Sequence, residues 1–413
     1  MDVARKTRNA PLVTLEDIEA ARARIRDAIV ATPCVQSRTL SEITGARVFL
    51  KFENQQFTAA YKERGALNKL LLLPPEAQER GVIAASAGNH SQGLAYHARR
   101  LGIPVTIVMP RPTPTVKVQQ TESHQASVIL YGERFDDANE HALALAEARG
   151  LTFVHPFDDV DVIAGQGTLA LEMLEAVPDL DLLAIPIGGG GLISGMGTAA
   201  KALQPGIEVI GIQAELYPSM YAKLHGLDMP CEGDTLAEGI AVKKPGELTS
   251  AIVRDVVDDI VLVAERDLET AVSLLLQIEK TVVEGAGAAG LAALLAHPDR
   301  FKGKTVGIVL CGGNIDTRLL ANVLLRDLVR SGRLARLRIR LQDRPGSLYN
   351  LARVFDEQGV NIIEVSHQRV FTTLPAKGLI TDIECETRDR DHLNRLIAAL
   401  GEAKYEVSQV ELA

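Results

Sequence analysis

From Arg47 to Cys311 the chain alternates short apolar runs with stretches whose apolar residues recur at helical spacing. Arg47 to Phe52, Gly81 to Ala85, Val105 to Met109, Ser127 to Tyr131, Asp181 to Pro186, Glu208 to Gln213, Asp259 to Val263 and Thr305 to Cys311 read as strands. Ser91 to Leu101, Thr115 to Ser123 and Phe135 to Arg149 read as helices between them. A strand apolar along most of its length is buried on both faces. Joined by helices, such strands form parallel sheets covered on both sides, the α/β class. There are enough units for two lobes: a small one of about 54–155, and a large one joining 14–53 to 156–330. Thr14-Leu15-Glu16-Asp17 resembles a capping box and predicts a helix through about Ile29. Residues 1–13 read as a flexible tail.

The pattern changes after Arg330-Ser331-Gly332. Leu334 to Leu341 reads as a strand, Leu348 to Gln358 as a helix, and Ile362 to Arg369 and Gly378 to Glu386 as strands. His392 to Leu400 reads as a helix and Glu406 to Glu411 as a last strand. This βαββαβ order over 333–413 is ferredoxin-like. Charge divides at the same place. Residues 333–413 carry 12 basic and 12 acidic groups, so the net −9 belongs to the first 332 residues. That acidity argues against nucleic-acid or anionic-membrane partners. The four cysteines (Cys34, Cys231, Cys311, Cys385) form no CxxC pair, so free thiols in a reducing compartment are expected. With no apolar leader and no long apolar run, the expected location is cytoplasmic.

Three turns carry candidate chemistry. Thr58-Ala59-Ala60-Tyr61-Lys62-Glu63-Arg64-Gly65-Ala66 places a lysine directly after an aromatic residue. A lysine desolvated against that ring has a lowered pKa and a nucleophilic amine, as a carbonyl cofactor requires; a solvated lysine at a helix start is the plainer alternative. In Pro186-Ile187-Gly188-Gly189-Gly190-Gly191-Leu192, four glycines follow a buried strand and precede a helix. They let amide groups converge where the helix dipole favours an anion, a phosphate cradle; a tight turn would need only one or two glycines. No Lys-Ser/Thr follows, so this is not a nucleotide P-loop. Ser86-Ala87-Gly88-Asn89-His90-Ser91-Gln92-Gly93 gathers donors suited to a carboxylate, or else forms a polar cap. Cys311 lies at a strand end, where α/β sheets bind ligands, or is an inert buried thiol. Gly285-Ala286-Gly287-Ala288-Ala289-Gly290 matches the dinucleotide pattern, but helical spacing precedes it, so it reads as close helix packing.

Together the lysine after an aromatic, the Ser-x-Gly-Asn-His turn and the tetraglycine loop resemble the fold-type II pyridoxal phosphate (PLP) enzymes, in the threonine dehydratase and serine racemase branch. The Asp343-Arg344-Pro345-Gly346-Ser347-Leu348 turn resembles that of an ACT regulatory domain, and the pairing resembles the single-ACT threonine ammonia-lyases. The resemblance implies a two-lobed, tryptophan synthase β-like catalytic region, with pyridoxal 5'-phosphate held on Lys62 as a Schiff base. It implies Tyr61 beside the pyridine ring, Gly188, Gly189, Gly190 and Gly191 around the phosphate, and Asn89 on the phenolic oxygen. Cys311 would face the ring nitrogen and Gly239 would line the opposite ring face. Ser86, Asn89 and His90 would surround the substrate carboxylate.

Three features depart from the family pattern. The usual Thr-Gly-Ser-Phe before the lysine is Thr58-Ala59-Ala60-Tyr61. Ala87 stands where racemases carry a second-face serine, so elimination is favoured over racemisation. Gln213 stands where a metal-binding Glu is expected, so no metal is expected. The implied reaction turns L-threonine into 2-oxobutyrate and ammonia, and L-serine into pyruvate, with Lys62 as the base at Cα. Alternatives are a threo-3-hydroxyaspartate or serine ammonia-lyase, or a ligand sensor with a vestigial catalytic lobe. The resemblance further implies a homo-oligomer, tetramer or dimer, with isoleucine or valine as effector and a place in isoleucine biosynthesis.

Overall fold

The computed structural model describes residues 12–370 and 375–410. Of the expected tail, residues 1–11 lie outside that range, as does Glu411 of the last expected strand; Val13 is already buried. The chain forms two compact units, Met1–Ile315 and Asp316–Ala413. The helix before the change of pattern at Arg330–Gly332 falls in the second unit. Helix Thr317–Arg330 groups with the second unit because it packs on the strand Leu334–Gln342.

The first unit holds two sheets. The larger orders its strands as Cys34–Gln36, Arg47–Lys51, Thr305–Val309, Leu182–Pro186, Glu208–Ala214 and Asp259–Val263. All pair in parallel except the first, an antiparallel edge. That edge strand has only three residues and no long apolar run, and the sequence did not announce it. The smaller sheet orders Ser127–Leu130, Val105–Met109, Val82–Ala85 and Thr152–Phe153, all parallel. Val82 and Ala84 pack on one side with Leu70, Leu94 and Ala98; Ile83 and Ala85 pack on the other with Ala138 and Ala142. Burial on both faces is why these strands read as unbroken apolar runs. The first helix is Leu15–Ile25, with Thr14 and Asp17 forming the reciprocal capping box, and it stops four residues short of Ile29. Gly285, Gly287 and Gly290 open the helix Gly285–Ala296. A Cβ on them would meet Leu236 O at 2.4 Å, Gly312 O at 2.6 Å and Ile308 Cγ2 at 2.6 Å. The dinucleotide-like pattern is helix packing, as its spacing implied.

Behind the lysine turn lies a buried ion cluster. The fully buried Arg64 donates to Glu53 at 2.8 and 2.9 Å and to Glu172 at 2.5 and 2.9 Å. The buried Lys51 Nζ donates to Glu172 and to Thr32 O, both at 2.6 Å. Burial opposes the Arg64 charge, but Glu53 and Glu172 outweigh it and hold the guanidinium firmly protonated. Each charge has a partner, so the cluster ties strand Arg47–Lys51, helix Lys62–Leu72 and helix Val160–Ala176 into one body.

The second unit is a four-stranded antiparallel sheet in the order Asn361–Gln368, Gly378–Glu386, Leu334–Gln342 and Glu406–Val410. Its helices Ser347–Glu357 and Arg390–Glu402 bring Leu351, Phe355, Leu393, Leu396 and Leu400 onto Leu337, Ile339 and Ile383. This is the expected ferredoxin-like order. All four cysteines are free. Among the described residues no helix is long and apolar enough to cross a membrane.

Arg64→Ala leaves Lys51 as the one cation for the two buried carboxylates Glu53 and Glu172. It should cost the first unit roughly 3–5 kcal/mol in denaturant unfolding. A loss below about 1 kcal/mol would show that the cluster contributes little beyond an exposed ion pair.

Candidate active site

Lys62 begins the helix Lys62–Leu72, and the residues before it are pinned to the end of the central strand Thr305–Val309. Tyr61 N–H donates to Cys311 O at 3.1 Å, Gly313 N–H to Ala59 O at 2.9 Å, and Asn314 Nδ2 to Thr58 O at 2.8 Å. Ala60 and Gly312 form an antiparallel bridge between these segments. Ala59 has φ +55°, a left-handed backbone that costs an L-residue about 1–2 kcal/mol. The usual family residue there is Gly, and the pairing on both sides holds Ala in its place.

The Lys62 amine donates to Pro156 O at 2.6 Å and lies 5.3 Å from the Tyr61 ring centre. Burial pushes its pKa down to about 8, against the opposing pull of Cys311 and Glu284. The next residue, Phe157, packs on the tetraglycine loop. A Cβ on Gly189 would stand 2.4 Å from the Phe157 ring, and one on Gly191 2.9 Å from Phe157 O. Gly190 has φ +99° and lies against Met220 and Thr249, whose hydroxyl donates to Gly189 O at 2.6 Å. Gly188 approaches Ile240 Cα and Gly239 O, at 3.1 and 3.3 Å from its Cβ position. Gly189, Gly190 and Gly191 therefore need glycine, and at Gly188 a side chain would have to push its neighbours back. Among the described residues, the N–H groups of Gly188, Gly189, Gly190 and Gly191 have no acceptor, and they stand where the helix Gly191–Leu203 begins. Converging amides at a helix N-terminus, with a nucleophilic amine nearby, fit a phosphate-bearing aldehyde cofactor.

Asn89 begins the helix Asn89–Leu101. Its Nδ2 donates to Glu284 Oε1 and its Oδ1 accepts from Asn314 Nδ2, both at 2.8 Å. Ser86 Oγ accepts from Gly88 N–H at 3.3 Å in the same turn. His90 stands in the same turn and offers its backbone rather than its ring. Its ring is buried, and Nε2 faces Val154 O at 3.0 Å, so Nε2 carries the proton. Burial, aided by the nearby Lys62 charge, pushes it down to about 3 and keeps it neutral. A neutral ring with its one N–H spent on a carbonyl is no donor for a carboxylate. The backbone N–H groups of Asn89 and His90 are, since they have no acceptor among the described residues.

Cys311 is buried, and burial, with Glu284 nearby, keeps its thiol well above its ordinary value and protonated. Gly239 lies in the turn Glu238–Ile240, where a Cβ would stand 3.1 Å from Glu284 Oε1. The structure thus brings together Tyr61, Lys62, Asn89, Gly188 to Gly191, Gly239 and Cys311. Gln213 is buried and spends its carboxamide internally, donating to Tyr217 O at 3.2 Å and accepting from Tyr221 N–H at 2.9 Å. The sequence reading missed Pro156, Phe157, Glu284 and Asn314. A lone acidic residue between Val283 and Gly285 was the available signal for Glu284.

The family model for pyridoxal-phosphate dependent enzymes matches residues 25–312, and that for the ACT domain matches 331–411. The chain belongs to the pyridoxal-phosphate dependent enzymes. Its cofactor is pyridoxal phosphate. An L-threonine ammonia-lyase of Thermotoga maritima is 46% identical over 398 residues, 96% of this chain and 99% of that one. The processed form of threonine deaminase isoform 2 from Solanum lycopersicum superposes with a TM-score of 0.71 at 33% identity, covering 78% of this chain and 93% of that one. Serine racemase from Dictyostelium discoideum does so with a TM-score of 0.69 at 35% identity, covering 74% and 99%.

In the cofactor-free protein the Lys62 amine should react with pyridoxal phosphate at a rate that rises with pH and levels off above a midpoint of about 8. A midpoint near the ordinary lysine value of 10.5 would show that burial does not tune this amine. Gly189→Ala should weaken cofactor binding by roughly tenfold or more, because the methyl overlaps the Phe157 ring and displaces the loop. Fluorescence titration of the cofactor checks it.

Proposed function

We propose that the chain is an L-threonine ammonia-lyase that releases 2-oxobutyrate and ammonia from L-threonine and, more slowly, pyruvate from L-serine. One observation carries the choice of elimination. Lys62 supplies an amine whose pKa, lowered to about 8, leaves part of it neutral at physiological pH, while position 87, at the start of the Asn89 turn, is alanine and has no hydroxyl to act as a second acid or base. The close similarity to the Thermotoga relative supports threonine as substrate.

The residues divide the work as follows. Gly188, Gly189, Gly190 and Gly191 would hold the phosphate with their free amides. The turn Ser86 to His90 would take the substrate carboxylate through a hydroxyl and backbone N–H groups. Cys311, a neutral thiol, would offer the ring nitrogen a weak partner. When bound, pyridoxal phosphate supplies an electron sink conjugated with the substrate's Cα. Lys62 would be the base that takes the Cα proton. Its lowered pKa makes it available as a base at neutral pH, whereas an ordinary lysine would remain charged. Tyr61 and Pro156 confine the amine near the reacting carbon.

The ACT unit is read as the regulatory site, with isoleucine or valine as effector bound between copies of the chain in a tetramer or dimer. Its edge strand Asn361–Gln368 supports pairing: Ile363 is 53% exposed and Val365 37% exposed there.

A substrate panel tests the reading. Turnover should be highest on L-threonine, lower on L-serine and weakest on threo-3-hydroxyaspartate, with no D-serine formed from L-serine. Lys62→Ala should lower ketoacid release by roughly 10²–10⁴-fold. Preference for hydroxyaspartate, or racemisation matching elimination, would overturn it. Isoleucine or valine should change the rate of the full-length enzyme; a rate unmoved by either would remove the ACT unit from control of this site.

A further inference from the structure

Glu284 occupies the N-cap position of the helix Gly285–Ala296, yet its side chain makes no capping bond. An acidic N-cap normally accepts from the first amides of its helix. Here the carboxyl turns away and accepts from Asn89 Nδ2 at 2.8 Å, while its own backbone N–H is fixed to Gly312 O at 3.0 Å. Two glycines make room for it. A Cβ on Gly312 would stand 2.4 Å from Glu284 Oε1 and 2.9 Å from Asn89 Nδ2, and one on Gly239 3.1 Å from the same Glu284 oxygen. On the far side Asn314 Nδ2 donates both to Asn89 Oδ1 and to Thr58 O, each at 2.8 Å. The Asn89 carboxamide is gripped at both ends. Flipping it would set its oxygen against the Glu284 oxygen and its NH₂ against the NH₂ of Asn314. The grip leaves one Nδ2 hydrogen unspent.

We propose that Glu284, backed by Asn314, is a positioning residue: it fixes the Asn89 carboxamide in one orientation and aims its remaining Nδ2 hydrogen at the oxygen substituent of the cofactor ring. This rests on reading Asn89 as the partner of that oxygen. The groups facing Glu284 are Lys62 and Tyr61 from the lysine turn, Cys311 from the strand end, Glu238 from the turn Glu238–Ile240 and Lys117 from the helix Thr115–Ser123. Burial pushes the Glu284 carboxyl up to about 7, against the pull of Asn89 and Lys117 and with the help of Glu238. Either protonation state keeps an oxygen that accepts from Asn89, so the grip persists while the charge beside the ring changes through neutral pH.

The test loads cofactor-free full-length protein with pyridoxal phosphate and follows its dissociation constant by fluorescence and its visible absorbance from pH 6 to 9. Glu284→Ala should weaken binding by about tenfold, the loss of one such hydrogen bond, and shift the absorption maximum. Glu284→Gln keeps the acceptor and should restore affinity to within about twofold while flattening the change of absorbance through pH 7. Asn314→Ala, which leaves Glu284 in place, should shift the absorption maximum in the same direction as Glu284→Ala. It decides the matter if circular dichroism shows that Glu284→Ala does not fold. Wild-type affinity and spectrum in the folded alanine variants would overturn the proposal, as would a glutamine variant as weak as the alanine one. A wild-type protein without visible absorbance would instead overturn the reading of the site on which it rests.

Discussion

Residues 59–61 and 311–313 are some 250 positions apart in the chain and pair as two short antiparallel segments at the heart of the catalytic unit. Tyr61 and Gly313 donate to the carbonyls of Cys311 and Ala59, and Ala60 bridges Gly312. This pairing anchors the lysine turn to the end of the central strand, which is where parallel sheets present ligand sites. Without it Lys62 would be an ordinary residue at a helix start. With it the amine is held below the Tyr61 ring, its proton donated to Pro156 O, and its pKa falls because water is excluded.

The surrounding structure protects that anchor. Arg64, two residues beyond Lys62, sits in a cluster of two cations and two carboxylates that leaves its helix no freedom to slide. Glu63 faces the other way, where His97 and the Thr58 amide outweigh burial and hold its carboxyl below the usual range. The lysine is thus flanked by two buried acid–base contacts that position its backbone and leave its side chain free for chemistry. Pro156 and Phe157 link the same lysine to the tetraglycine loop.

Much of this was legible in the sequence, for physical reasons that differ by element. Strands buried on both faces advertise themselves as apolar runs, so Val105–Met109 matches its expected limits and Leu182–Pro186 begins one residue later than expected. The strand Cys34–Gln36 is short and lies at an edge, so no run marks it. That helix Thr317–Arg330 groups with the second unit was not legible, because its spacing looks alike whichever unit it packs on. In the site, Lys62 and the glycines were readable because their chemistry shows in residue type and local order. Glu284 and Asn314 were not, because their role is to hold Asn89 from distant parts of the chain. The state of the His90 ring was not legible for the same reason: Val154, which takes its N–H, and Lys62, which with burial keeps it neutral, are its neighbours only in the fold.

The central claim is that this one lysine, held by the pairing with Cys311 to Gly313, is where the cofactor attaches. Borohydride reduction of the native enzyme followed by peptide mass mapping tests it directly. The account predicts a stable pyridoxyl label on the peptide carrying Lys62 and on no other lysine. A label elsewhere, or none on that peptide, would contradict it.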